Sequence, residues 1–270
     1  MQDATRRAKA ALISTTEPNA ARVADFLYGG QSNFEADRKA ARALAAAAPA
    51  IVEIAPAVRA FQRRALTYLV AEARVTQFLD IGFGLPLVGA THHVAQTLVP
   101  EARVAYVDSD PMVLSHARAL LKSAPGGAVG YVDADVREPD AIVSGARQIL
   151  DFSRPIGVLL LFTLAYIQDT AQAAMVVSLL MASAPPGSYF VMYHLAADLD
   201  PALEEAARQW NKMMPLQPIT PRSHADVASL MTGLELVRPG LVPVTEWRPA
   251  ADDPQLERAI PIYAAVARKR

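Results

Sequence analysis

Apolar positions along the chain change their spacing once. Up to about residue 75 they repeat as a helix requires. In ARVADFLYGG, Val23, Phe26 and Leu27 share a face, and Gly29 and Gly30 predict a helix stop. Residues 34–48 are alanine-rich and helix-favouring, and 51–71 continue the pattern with Pro56 as a start or kink. From Thr76 onward, short apolar runs alternate with helical stretches. TQFLDI, ARVAYVD, AVGYVDAD, PIGVLLLF and PGSYFVMYH predict five strands, and helices are expected near 89–99, 111–122, 139–150, 172–182 and 201–213. Repeated strand–helix units predict a doubly wound α/β fold, a parallel sheet with helices on both faces. LELVRPGLVPV and IPIYAAVA close the chain with little helix between them, which predicts an antiparallel edge pair. The Pro-containing stretch 214–221 reads as a surface loop on the substrate side.

Composition narrows what such a fold could do. With 270 residues and 52% hydrophobic side chains, the chain can bury the core of one large domain carrying an extra segment, so wholesale disorder is excluded. A formal net charge of −1 removes the electrostatic case for a nucleic-acid or anionic-membrane partner. The absence of cysteine excludes disulfides, a thiol nucleophile and a cysteine metal cage. His92 and His93 are adjacent and lack a third ligand at helical spacing, so no metal site is expected. The most apolar run, 157–167, falls short of the roughly 20 residues that cross a bilayer. No signal-peptide core is legible at the start, so the expected location is cytoplasmic. Oligomeric state is left open.

The chemistry lies at the strand ends, because ligands of doubly wound sheets bind beyond the carboxyl ends of the strands. The first strand ends Asp80-Ile81-Gly82-Phe83-Gly84-Leu85-Pro86, the second Asp108-Ser109-Asp110 and the third Asp133-Ala134-Asp135-Val136. Asp80, Asp108 and Asp135 thus follow one another at intervals of 28 and 27 residues and deliver carboxylates to one rim. A dinucleotide would need G-x-G-x-x-G, yet the third glycine position is Leu87, and Asp80 would oppose a pyrophosphate. S-adenosylmethionine has no phosphate. It offers an ammonium to the first carboxylate, a ribose diol to the second and an adenine amine to the third. Gly82 and Gly84 would let the backbone pass close beneath it. A competing use is helix capping, for which Asp108 or Asp110 ahead of Pro111 is well placed.

With those residues in view, the chain resembles the class I S-adenosylmethionine-dependent methyltransferases, and within them a bacterial S-adenosyl methyltransferase family first grouped as a domain of unknown function. The resemblance covers nearly the whole chain. It rests on ARVADFLYGGQSNFEADR, QFLDIGFGLP, HHVAQ, VAYVDSDPMVLSHARALL, DADVREP, LDFSRPIGVLLL, PGSYFVMYH, PGLVPVTEWRP and VARK. It implies a Rossmann-like seven-stranded sheet with the last strand antiparallel, spanning 76–270, beneath an N-terminal helical lid over 1–75. Expected cofactor contacts are Asp80, Gly82, Gly84, Pro86, Asp108, Ser109, Asp135 and Val136. In the front motif a reversal at the glycine pair would carry Tyr28, Gly30, Asn33 and Phe34 over the pocket mouth. The plainer reading pairs Arg22 with Asp25 and Asp37 with Arg38 at the surface. Arg59 and Arg63, four apart on one helix face, either form a solvated face or offer a partner for the cofactor carboxylate, for which Arg63 is the one expected to serve.

Methyl transfer needs alignment first, and a base only for a hydroxyl or protonated amine. His92 and His93 at the start of the first helix after strand one, Tyr166 after strand four, and Tyr193 and His194 at the end of strand five are the candidates; His194, Tyr166 and His92 are preferred. Residues 210–218, with Trp210, Met213, Met214 and Leu216, suit an apolar wall for the acceptor. The expected function is therefore O- or N-methylation of a small-molecule acceptor in specialised metabolism. The alternative is a cofactor-binding sensor or partner module without transfer activity, which would bind the cofactor and turn nothing over.

Overall fold

The predicted strands lack polar–apolar alternation because both faces of the sheet are covered. A computed structural model describes residues 14–86 and 89–270. Strand β1 (Gln77–Ile81) is buried at every position and lies parallel between β2 (Arg103–Asp108) and β4 (Gly157–Leu161). β3 (Ala128–Asp133) extends the sheet beyond β2, and β5 (Tyr189–Leu195) beyond β4, both in parallel. β8 (Ile262–Arg268) runs antiparallel beside β5, and the short strands β6 (Glu235–Leu236) and β7 (Val242–Pro243) pair with β8. The order is β3-β2-β1-β4-β5-β8-β6, with β7 off this path. The main path therefore has the expected strand number, with the last strand antiparallel. Chain direction across the sheet switches between β1 and β4, which opens a crevice above their carboxyl ends.

The end of the chain differs from the expected edge pair. β8 sits inside the sheet, and the run 234–244 breaks into β6 and β7. Pro239 has no N–H to donate, and Gly240 turns the backbone at φ 103°.

Helices α1 (Ala20–Leu27), α2 (Glu35–Ala47) and α3 (Ile51–Ala71) precede the sheet. They share one core with Phe78, Tyr106, Val191 and Val266 and with α8 (Ala202–Met213). The opposite face packs Leu79, Val107, Val158 and Met192 against α6 (Pro139–Ala146), α7 (Thr170–Ser183) and α9 (His224–Ser229). α4 (Thr91–Leu98) and α5 (Pro111–Leu120) follow β1 and β2. No single helix among the described residues is long and apolar enough to cross a membrane.

The front motif is explained by local bonding. The Asp25 carboxylate accepts from Ser32 N and Asn33 Nδ2, both at 2.8 Å, and Gly30 N donates to Asp25 O at 2.7 Å. A Cβ at Gly30 would overlap the Asp25 carboxylate, which is why glycine stands there. Arg22 does not pair with Asp25. Its Nε donates at 2.8 Å to Asp37, a fully buried carboxylate that also accepts from Asn19 N and Phe34 N. The expected surface pairs are thus one buried ion pair and one turn organiser. Of the expected lid segment, residues 1–13 lie outside the described residues, as do Leu87 and Val88.

Candidate cofactor site

A cavity of about 500 Å³ opens above the carboxyl ends of β1, β2 and β4, within the size range of small-ligand sites. Asp80, Gly82, Pro86, Asp108, Ser109, Asp135 and Val136 all line it, as do Tyr28 and Tyr166. Three strand ends and the N-terminal helices therefore meet at one place, as the carboxylate spacing suggests.

Each acidic group has a distinct setting. Asp80 is 3% exposed, and its one side-chain donor is Thr91 Oγ1 at 2.6 Å, itself held by Gln62 Nε2 at 3.0 Å. Burial, with the nearby Asp108 charge adding to it, pushes the Asp80 carboxyl up to about 7 despite the Thr91 bond. Asp108 accepts from Gly84 N at 3.2 Å and Asp110 N at 2.9 Å, and enclosure by the protein pushes it up to about 6. The capping role falls to Asp110, which accepts from Met112 N at 2.8 Å with Pro111 in the first turn, leaving Asp108 free to face the cavity. Asp135 is held by Arg137 Nη1, 3.1 Å from each carboxylate oxygen.

Among the described residues neither Asp80 nor Asp108 has a cationic partner. Two enclosed carboxylates without a counter-charge are unfavourable unless a ligand supplies one. Gly82 adds a floor: its φ is 72°, and a Cβ there would overlap the Thr163 side chain. An ammonium, a ribose diol and a flat base fit this donor and acceptor set.

The carboxyl shifts carry a sign. Both groups hold protons in the ligand-free protein at low pH, and a cation is best bound by the ionised forms. Affinity for S-adenosylhomocysteine is expected to rise from pH 5.5 to 8 and then level off, by at most about tenfold per pH unit per group. Because these pKa values are raised on folding, the same ionisations make the ligand-free protein less stable as pH passes about 6 and 7. Calorimetry across that range, beside thermal unfolding with and without ligand, checks both signs. An affinity independent of pH would contradict the assignment.

Several expected contacts lie elsewhere. Gly84 is not in the cavity wall; its N–H orients Asp108 instead. Gly30 and Asn33 organise the Asp25 turn, and Phe34 is 38% exposed beneath the Arg22 guanidinium. Arg63 leaves the cavity for Asp252 and Asp253 on the loop before β8. Arg59, a turn earlier on the same stripe, lines the cavity, with its guanidinium 5.2 Å from the Tyr28 ring centroid and Nη2 donating to Tyr28 O at 3.0 Å.

Both histidines are used in packing. On β5, Tyr193 and Leu195 face the cavity, so strand alternation turns His194 to the far side. There His194 Nε2 accepts from Arg222 Nη1 at 2.7 Å and Nδ1 donates to Leu195 O, and burial drops the imidazole to about 4. His92 is fully buried with Nδ1 2.9 Å from the Tyr106 hydroxyl, and burial lowers it to about 4 as well. Sequence reasoning gave Thr91, Gln62 and Thr163 no role, since a threonine at a helix start or turn and a glutamine inside a helix carry no signal of their own. Trp210 and Leu216 do line the cavity, while Met214 is core.

Residues 6–270 match the family described as S-adenosyl methyltransferase. The chain belongs to this family. It is an S-adenosylmethionine-dependent methyltransferase. The crystal structure of a DUF574 family protein from Streptomyces avermitilis MA-4680 shares 36% identity, covers 95% of this chain and 99% of its own, and superposes with a TM-score of 0.90. A proposed methyltransferase from Thermobifida fusca YX shares 38% identity over 94% of this chain and 96% of its own, at a TM-score of 0.85. The plantazolicin methyltransferase BpumL, in complex with S-adenosylhomocysteine, is 10% identical and is similar in fold alone, with 93% and 96% of the two chains covered at a TM-score of 0.55. No curated protein sequence matches the chain. For this methyltransferase the expected cofactor and sheet hold.

Proposed function

We propose that this methyltransferase transfers a methyl group to the oxygen or nitrogen of a small-molecule acceptor, in specialised metabolism. The observation that carries this reading is the cavity itself: acidic and polar at the β1–β3 end, apolar against α8 and the loop after it. Bound there, S-adenosylmethionine supplies an electrophilic methyl on a positively charged sulfur. Asp80 takes the ammonium of its amino-acid end, and Arg59 takes the carboxylate. Asp108 accepts from the ribose hydroxyls, while Asp135 and Val136 receive the base. Tyr28 and Tyr166 fix the acceptor side. Segment 1–75 serves as the cover, since α1 and α3 contribute Tyr28, Val58 and Arg59 to the wall, and 76–270 supplies the sheet. Excluding water and holding the acceptor in line provide the rate.

Calorimetric titration with S-adenosylhomocysteine tests the assignment. Arg59→Gln is expected to weaken binding by roughly tenfold, the scale of one charge-assisted contact, whereas Arg63→Gln leaves it unchanged. Equal losses in the two variants would overturn the placement of the amino-acid end. A radiolabel-transfer screen separating small from macromolecular products checks the acceptor class; label appearing in protein or RNA alone would overturn it.

A further inference from the structure

The apolar half of the cavity combines Leu195, Leu203, Trp210 and Ile219 with Tyr28, Tyr166 and Tyr193. These tyrosines come from the end of α1, the 3-10 turn Thr163–Tyr166 after β4, and the end of β5. Burial holds all three phenols above their ordinary pKa, so none is a base near neutral pH. His92 and His194 are sealed away in the core, and His93 is exposed outside the cavity wall. Among the described residues the carboxylates that line the cavity are those of the β1, β2 and β3 ends.

Three kinds of acceptor respond differently to that wall. A hydroxyl has to lose its proton, which calls for a base. An anionic nucleophile, desolvated among leucines and a tryptophan, needs a cation to offset the loss of water. Of the two guanidiniums in the wall, Arg137 is paired with Asp135, and Arg59, which lies against the Tyr28 ring and donates to Tyr28 O, is the group assigned above to the cofactor carboxylate. A neutral amine or azole nitrogen needs neither partner. Its lone pair is ready, and an apolar surrounding favours the uncharged form. The positive charge it acquires suits aromatic faces.

We propose that the acceptor is an uncharged nitrogen base, an amine or an azole, on a mainly apolar molecule, and that Tyr28, Tyr166 and Tyr193 house the charge this nitrogen acquires. The proposal rests on the assignment of the acidic end to the cofactor. The nitrogen lone pair forms the new bond to the methyl carbon as the sulfur–methyl bond breaks, its electron pair remaining on sulfur. Positive charge passes from sulfur to nitrogen, and any N–H proton is lost to solvent once the product has left.

The test uses the full-length protein saturated with S-adenosylhomocysteine, so that the acidic end is filled. Benzyltrimethylammonium stands in for the methylated product, and neopentylbenzene is its uncharged isostere. Of the two tryptophans, Trp210 is in the cavity wall and Trp247 is buried in the core, so tryptophan emission reports occupancy without turnover. The ammonium is expected to bind roughly tenfold more tightly than the isostere, the size of one or two desolvated cation–π contacts. Tyr193→Phe keeps most of that preference because the ring remains, whereas Tyr28→Leu, at the end of a surface helix, removes most of it. Equal binding of the two probes to the wild-type complex overturns the proposal alone. Failure of S-adenosylhomocysteine to bind overturns the cofactor assignment and the proposal with it.

Discussion

Replacing Asp108 with alanine is expected to weaken S-adenosylhomocysteine binding at pH 8 by about a hundredfold, since the proposed placement gives Asp108 two charge-assisted bonds to the ribose diol. The same substitution is expected to leave the ligand-free protein as stable as the wild type or slightly more so. Asp108 donates nothing to the fold; it accepts from two backbone N–H groups that solvent or ligand can also satisfy, and its charge is enclosed without a partner. Asp108→Asn sharpens the comparison. Its deficit is expected to shrink at pH 5.5, where the wild-type carboxyl, pushed up to about 6, is largely protonated. Calorimetry for affinity and urea unfolding for stability separate the two effects. A variant that loses stability but binds normally would make Asp108 a structural residue.

Arg222→Met is expected to behave in the opposite way, costing about 3–5 kcal/mol of stability in urea unfolding. The Arg222 side chain is 2% exposed, and its guanidinium donates to Leu164 O at 3.0 Å, to Ile167 O, to Thr170 Oγ1 at 3.1 Å and to His194 Nε2. It thereby holds both ends of the turn that carries Thr163 and Tyr166 to the cavity. Removing it strands the Ile167 carbonyl and an imidazole nitrogen in the core, each worth roughly 1–3 kcal/mol when left unpaired, and leaves Leu164 O with the Ile167 N–H alone. Arg222→Lys is expected to recover little, because one ammonium cannot reach donors spread around a planar fork. A methionine variant within about 1 kcal/mol of wild type would show that the turn is held by packing instead.

These contrasts mark where sequence reading succeeds. Strands buried on both faces are written as unbroken apolar runs, and the carboxylates that end them are legible because nothing apolar could replace them there. Pro111 separates the neighbouring acids, since a proline in the first turn makes Asp110 the cap and frees Asp108. The failures share a cause. YFVMYHL is buried throughout, so its pattern carries no phase, and the choice between Tyr193 and His194 depends on which core each residue enters. Arg59 and Arg63 share a helical stripe. Only the return of the 252–253 loop, distant in sequence, shows that Arg63 is already engaged. Gly30 and Asn33 belong to one of the motifs on which the resemblance rests, yet a buried turn explains them without any ligand. Specificity of a motif is not evidence of contact.

The position of β8 bears on how the protein is made. Until residues 262–268 leave the ribosome, β5 has no neighbour on that side, and its seven buried residues present an open edge of unpaired backbone groups. Synthesis thus passes through a stage in which five parallel strands await a sixth encoded after them, and other nascent chains can add to that edge. Slowing translation ahead of codon 262 would lengthen this exposure, whereas supplying the β8 sequence early, by circular permutation, would shorten it.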